Sequence, residues 1–297
     1  MNERPEADPA WDSFWRYDRL SSFHAAPGAP NYGPPIADGW RAFFESLPDG
    51  ARILDLATGN GAIAVLAVEA DKSFAVSGAD LADVRPTDFV TTGKAELEQV
   101  AFLPNTPAEA LPLPDSSIDA LVSQYGVEYS DLTRSIPEAV RVIAPGGRLR
   151  FAVHAAEGTV VRDTKQAITD ADFLLALDIV GLATRAGAEI AAFDAGLKAI
   201  ADRVPAATDT AMLANVHNSL CDACDHRRGE LTATAQHLHA EITAHRDRQA
   251  ALLAAARSAD QMAELGDQLK VTGFTINLGE QRDGDDLIGH VIEATKG

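Results

Sequence analysis

Two carboxylates and the turn between them are the first residues of this chain that suggest chemistry. Asp55 ends the apolar run "ARILDL" and is followed by the small-residue turn "ATGNGAI", residues 57–63. Asp80 ends a second apolar run, "FAVSGADL", 25 residues further on. The stretch from Gly59 to Ala64 fits the loose G-x-G-x-x-G/A pattern that brings a nucleotide close to the backbone at a helix amino terminus, a weak signal by itself. A carboxylate two residues ahead of the turn discriminates between ligands. Asp55 disfavours a nearby pyrophosphate and suits an ammonium group, so a zwitterionic, phosphate-free tail fits better than a dinucleotide. Asp80 can accept hydrogen bonds from both hydroxyls of a ribose, a charge-assisted arrangement. That feature alone does not separate NAD from S-adenosylmethionine, because both carry a ribose diol.

These residues need elements to hold them. From residue 51 to about 154, short apolar runs alternate with helical patterns, which predicts a mainly parallel sheet with helices on both faces. The predicted strands are "RILDLA", "FAVSGADL", "VAFLPN", "IDALVSQYG" and "GRLRFAVHA". From about 157 to 268 the pattern is helical throughout. There Leu231, Ala235, Leu238, Ile242, His245, Gln249 and Leu252 recur at alternating spacings of four and three, one face of a helix that packs on its neighbours or forms a homodimer seam. "KVTGFTINLGEQ" and "DLIGHVIEATK" then return as two strands around the turn "RDGD". The expected division is a helical and loop cap over 1–50, a cofactor-binding α/β domain over 51–156 with 269–297, and a helical insertion or lid over 157–268, inserted after the fifth strand.

Along this chain, "ILDLATGNGAIA" resembles the first motif of the class I S-adenosylmethionine-dependent methyltransferases, over Asp55, Gly59 and Gly61. Ala57 stands where that family has its first glycine, which adds a methyl group close to the methionine moiety. Asp80 is similar to the family's ribose-binding acid, and Leu81 would then lie against the adenine. "AEALPLPD" leading into "SIDALVSQYG" resembles the stretch in which Ala108 and Glu109 edge the adenine and the fourth strand forms the cofactor's floor, with Gln124 at its end. "EAVRVIAPGGRLRFAVH" is similar to the family's helix, P-G-G turn and fifth strand. The resemblance implies a Rossmann-like, mostly parallel sheet with an antiparallel last strand. It implies S-adenosyl-L-methionine as cofactor, with S-adenosyl-L-homocysteine as product.

Methyl transfer from a sulfonium needs an aligned nucleophile and, for a hydroxyl acceptor, a base. His154, at the end of the fifth strand, is the leading candidate base, although a histidine there can equally do no more than bond neighbouring backbone. Glu128 in "QYGVEYSD" is a second candidate to position or deprotonate a substrate, and Tyr125 and Tyr129 offer acceptor walls with a polar handle. Tyr17, Asn31 and Tyr32 are expected to close over the cofactor, while Trp11, Trp15 and Trp40 read as packing residues. No N-P-P-Y or D-P-P-Y tetrad follows the fourth strand, where "SQYG" stands, which argues against methylation of nucleic-acid bases. The function expected is methylation of an O or N atom of a small molecule held under a helical lid. Two alternatives stay open: a non-catalytic S-adenosylmethionine-binding or regulatory protein of the same fold, and a nicotinamide-dependent oxidoreductase.

Bulk composition agrees. The chain of 297 residues is 46% hydrophobic with a formal charge of −19, enough apolar content for a large core and a surface that repels phosphate backbones. Beyond "HRR" at 226–228 it has no basic cluster, so nucleic acid is not an expected partner. No apolar run approaches the roughly 20 residues that span a bilayer, and no signal peptide is evident at the amino terminus, so the expectation is a cytoplasmic protein with no membrane partner. Cys221 and Cys224, with His217 and His226 nearby, read as two cysteines one helical turn apart, with metal and redox roles as the lesser readings; no metal is expected.

Overall fold

The computed structural model describes residues 9–22, 31–204, 210–226 and 228–297. The loop "HAAPGAP" and the side chain of His226 lie outside the described residues. Within them the chain divides into two compact units, residues 1–159 with 255–297, and residues 160–254.

The first unit begins with α1 (Pro9–Phe14) and α2 (Pro34–Glu45). Its sheet is then laid down in the expected alternation. β1 (Arg52–Leu56) leads through the small-residue turn to α3 (Ala62–Ala70), then β2 (Ala75–Ala79), two single-turn helices α4 (Pro86–Phe89) and α5 (Lys94–Leu97), and the short β3 (Ala101–Leu103). β4 (Ile118–Gln124), a 3-10 turn at Val127–Tyr129, α6 (Leu132–Val142) and β5 (Ile143–His154) follow. The strand order is β3-β2-β1-β4-β5, continued by the carboxyl-terminal hairpin of β7 (Asp286–Lys296) and β6 (Phe274–Asp283). β7 runs antiparallel to β5, with His154 opposite Gly289, and β6 runs antiparallel to β7. The seven strands make the Rossmann-like, mostly parallel sheet with the antiparallel strand that the family resemblance implies.

Amphipathic patterning explains which face each element buries. α3 is apolar all round and buries Ala62 through Val68, as a helix covering the middle of a sheet should. α12 (Ala259–Val271) opens with a capping box, Ser258 and Gln261 each bonding the other's backbone. Its residues Met262, Leu265 and Leu269 join Leu121, Phe151, Phe274 and Ile292 in the core of the sheet unit. Those apolar contacts are why the compact division falls at 254/255, ahead of α12, rather than at 268.

The second unit is helical: α7 (Thr159–Ala176), α8 (Ile179–Arg185), α9 (Ile190–Arg203), α10 (Thr210–His226) and α11 (Leu231–Ala255). Leu231, Ala235, Leu238 and Ile242 of the heptad face are buried in this unit's own core with Leu174, Phe193 and Leu213. Asp170, fully buried on α7, is neutralised by Arg203 at 2.8 Å. Cys221 and Cys224 are free thiols on α10, the former 3.8 Å from the His217 ring, and no group of three or more His, Cys, Asp or Glu residues able to hold a metal occurs among the described residues. No helix among the described residues is long and apolar enough to cross a membrane.

Two left-handed residues set the shape of the sheet's carboxyl edge. Ala57 follows β1 with φ 52°, and Tyr125 follows β4 with φ 55°. Such a conformation costs a non-glycine residue roughly 1–2 kcal/mol. The methyl group of Ala57 lies against Gly126: a Cβ built on Gly126 would approach that methyl to 2.4 Å. The methyl that replaces the expected glycine at 57 is therefore accommodated by a glycine across the sheet edge. Gly126→Ala should destabilise the protein by about 1–3 kcal/mol in denaturant titration. Ala57→Gly should recover most of that loss, a non-additivity that a double-mutant cycle reads directly.

Candidate functional site

The candidate site lies at the carboxyl ends of β1, β2, β4 and β5, where open α/β sheets bind ligands. Asp55 is buried at the end of β1 and accepts a 2.6 Å hydrogen bond from the Thr58 hydroxyl. Burial pushes its carboxyl up to about 7; the Thr58 bond opposes the shift and the nearby charge of Asp80 adds to it. Asp80, also buried, accepts from the backbone N–H of Gly59 at 2.8 Å and of Ala82 at 2.9 Å. Burial raises its carboxyl to about 6 against the lowering by those two amides. Each Asp80 oxygen accepts one bond and so keeps capacity for another donor.

Between the two acids, Gly59 and Gly61 hold left-handed backbone with φ 52° and 83°. At Gly59 that openness is used by α1 and the residues after it. A Cβ there would meet the Trp15 ring at 2.5 Å, so the indole lies directly on the turn. Asn60, fully buried, donates to the backbone oxygens of Tyr17 and Arg19, and Asp12 accepts from the Asp83 amide at 2.9 Å. The cap residue that reaches the turn is thus Trp15, whereas the Tyr17 side chain is 45% exposed. Trp15 stacks with Trp11, and Trp11 meets Tyr129 edge-on at 5.5 Å.

The expected cofactor residues divide by what they touch. Asp55, Ala57, Gly59, Gly61 and Asp80 come together at the turn, with half-buried Leu81 directly after. Asn31 donates to the Ala62 carbonyl at 2.8 Å. Tyr32, buried and bonded to Ser22, feels the charges of both Asp55 and Glu128 and so lies between the two halves of the site. Ala108 packs against the sheet core, and the Glu109 carboxylate accepts from the Asp131 amide just ahead of α6. Gln124 accepts from the Trp40 indole N–H at 2.5 Å and donates to Gln281 at 3.1 Å. Trp40, read from sequence as packing, is both that and the hydrogen-bond anchor of β4's end.

The candidate acceptor side is equally buried. The Tyr125 hydroxyl donates to Gln281 Oε1, and its ring stacks on His154 at 4.4 Å between centroids. Tyr129 meets His154 edge-on at 6.3 Å. Glu128 is 1% exposed: Oε1 accepts from the His154 backbone N–H at 2.9 Å, and Oε2 is buried with no hydrogen-bond partner among the described residues. Burial drives its carboxyl up to about 7, opposed by the His154 bond, by the backbone amides of Glu128 and Gly126 close by, and by the charge of Arg257. Sequence reasoning missed Arg257, which stands just ahead of α12. Its backbone N–H donates to the His154 carbonyl and its guanidinium to the Glu128 carbonyl at 3.2 Å.

The donor set fits S-adenosylmethionine: two buried carboxylates suit an ammonium group and a ribose diol, and would repel a pyrophosphate. Sheet order, glycine turn and strand-end acids match those of class I S-adenosylmethionine-dependent methyltransferase domains. Within that class, residues 36–163 match the model of the ubiE/COQ5 methyltransferase family. The chain is similar to an uncharacterized methyltransferase of Mycobacterium tuberculosis, 38% identical over 141 residues that cover 45% of this chain and 52% of the relative. It is also similar to a demethylmenaquinone methyltransferase of Thermus thermophilus, 42% identical over 101 residues (33% of this chain, 44% of the relative). A malonyl-[acyl-carrier protein] O-methyltransferase of Methylococcus capsulatus is 34% identical over 106 residues, 35% of this chain and 38% of the relative. The chain thus spans about half the length or less of these curated relatives.

Raised carboxyls give the site a pH signature. Asp55 and Asp80 stabilise the unliganded fold when protonated, below the ordinary carboxyl value of about 4, and that contribution is lost as pH rises through about 6 to 7. A bound ammonium group favours the ionised acids. S-adenosylhomocysteine should therefore raise the melting temperature more at about pH 8 than at about pH 5, as a thermal-shift titration would read. Asp80→Ala should weaken its binding by about 1–3 kcal/mol in calorimetry.

Proposed function

We propose that this protein is an S-adenosylmethionine-dependent methyltransferase that methylates an oxygen or nitrogen atom of a small-molecule acceptor, with Glu128 as the group that takes the acceptor's proton. One observation carries the reading: a carboxyl oxygen, Glu128 Oε2, is buried without a hydrogen-bond partner among the described residues, at the strand ends that also hold the Asp55–Asp80 turn. A buried acceptor without a well-formed hydrogen bond costs up to about 1–3 kcal/mol, and a ligand's O–H or N–H placed against it would offset that cost.

Asp55, Asp80 and the amides of the glycine turn would hold the cofactor, which when bound supplies an activated methyl group on a sulfonium. The rest of the chemistry falls to this chain. Glu128 is oriented by the His154 amide, so Oε1 is committed and Oε2 is left for the acceptor's proton. A carboxyl near 7 is matched to that task at neutral pH, because it is ionised often enough to accept a proton and basic enough to hold it. His154 is fixed between Tyr125 and Tyr129, and those rings exclude water from the reacting side. The relatives' names carry both C- and O-methyltransferase activities, and a base that takes an O–H or N–H proton serves transfer to the heteroatom directly.

The test is release of S-adenosylhomocysteine from S-adenosylmethionine over a panel of phenols, hydroxy acids and small amines. At least one acceptor should turn over. Glu128→Gln should lower its kcat by about 10²–10⁴ while changing S-adenosylhomocysteine affinity less than about twofold. Cofactor binding with no transfer to any acceptor would point instead to a non-catalytic binding protein.

A further inference from the structure

Among the described residues, Glu128 Oε2 and Arg257 Nε are both buried polar atoms without a hydrogen-bond partner, and both residues lie against the end of β5. The two residues are tied to the same peptide. Glu128 Oε1 takes the N–H of His154 at 2.9 Å, and the Arg257 N–H is donated to the carbonyl of His154 at 2.8 Å. The Arg257 guanidinium then reaches back to the Glu128 carbonyl through Nη2 at 3.2 Å. The Ala156 amide, bonded to the Arg257 carbonyl at 2.9 Å, completes a short bridge that clamps this arginine to the end of β5. A guanidinium held by backbone on one side, with a buried N–H spare on the other, is poor economy for a purely structural residue. A lysine or a leucine would carry the backbone bridge equally well.

The spare groups are complementary in sign. A carboxylate oxygen accepts and a guanidinium N–H donates, so a single ligand that satisfies both must present a donor and an acceptor side by side. A hydroxyl gives the first. A carbonyl or carboxylate oxygen gives the second, and a charge-assisted bond from a buried guanidinium is among the stronger contacts available to it.

Building on the methyltransferase reading above, we propose that Glu128 and Arg257 form an acceptor-recognition pair for molecules that carry a hydroxyl beside a carbonyl or carboxylate oxygen. Arg257 is then a specificity-determining residue that acts on the oxygen neighbouring the methylated one. The Tyr129 and Trp11 rings, in edge contact with each other, offer apolar walls for a flat molecular frame.

Calorimetry of the full chain saturated with S-adenosylhomocysteine tests this without turnover. The probes are ortho- and meta-hydroxybenzoate, with benzoate and phenol as the molecules that lack one group each. At least one hydroxybenzoate should bind about tenfold more tightly than both benzoate and phenol. Arg257→Gln should reduce its affinity to that of phenol while leaving phenol's own affinity unchanged, and Arg257→Lys should restore part of the preference. Unchanged circular dichroism and S-adenosylhomocysteine affinity show that each variant is folded; if Arg257→Gln does not fold, the Lys variant carries the same comparison. Equal binding of all four probes, or a preference that survives substitution of Arg257, overturns the inference and leaves the methyltransferase reading standing. Failure of the wild-type chain to bind S-adenosylhomocysteine overturns that reading, and this inference with it.

Discussion

Burial of two carboxylates beside each other, against backbone amides and one hydroxyl, is the constraint on which the site depends. Asp55 and Asp80 sit at the ends of neighbouring parallel strands, and both are held by groups of the turn that joins β1 to α3 or lies just past β2. Taking a carboxylate out of water is expensive unless amides or a cation compensate. The amides of Gly59 and Ala82 and the Thr58 hydroxyl offset part of that cost, and burial still holds both carboxyls above their ordinary range. An unliganded site of this kind stores a preference for positive charge. The glycines, the left-handed Ala57 and the packing of Trp15 on the turn all serve to hold that geometry.

Much of this was legible in the sequence, for physical reasons that differ between the elements. Alternating apolar runs and helical patterns reveal a parallel sheet because strands buried on both faces cannot tolerate polar residues. Asp55 and Asp80 are conspicuous because each is an acid directly after such a run. Positions that depend on tertiary contact were not legible. Nothing local to Ala57 shows that its methyl group will meet Gly126, because the two residues belong to different strands. Nothing local to Glu109, an adenine-edge residue by resemblance, shows that one of its carboxylate oxygens accepts from the Asp131 amide. Arg257 was hidden in a run that reads only as helical, since its backbone pairs with β5 through a single bridge. Trp15 reads as packing because aromatic residues usually pack; on Gly59, packing is itself how the turn is covered.

The cluster around Gln281 ties distant parts of the chain together. Trp40 on α2, Gln124 and Tyr125 at the end of β4, and Gln281 on β6 form one hydrogen-bonded series. Tyr125, in its strained left-handed backbone, is pinned by the hydroxyl bond to Gln281, by the stack on His154 and by contact with Gly289. Over-determination of this sort is what lets a strained residue persist.

The position of β7 has a consequence for how the molecule is made. β5 has buried side chains along its second half, and one of its edges is covered only by β7, which is encoded after the whole helical unit. During synthesis from the amino terminus, β1 to β5 emerge first, and the β5 edge then stands open while the residues of α7 to α11 are added. An open apolar edge is a template for pairing with another chain. The ribosome would therefore be holding an adhesive strand until the last hairpin emerges. The same hairpin delivers Gln281 and Gly289, so the edge is sealed and Tyr125 is locked in a single event.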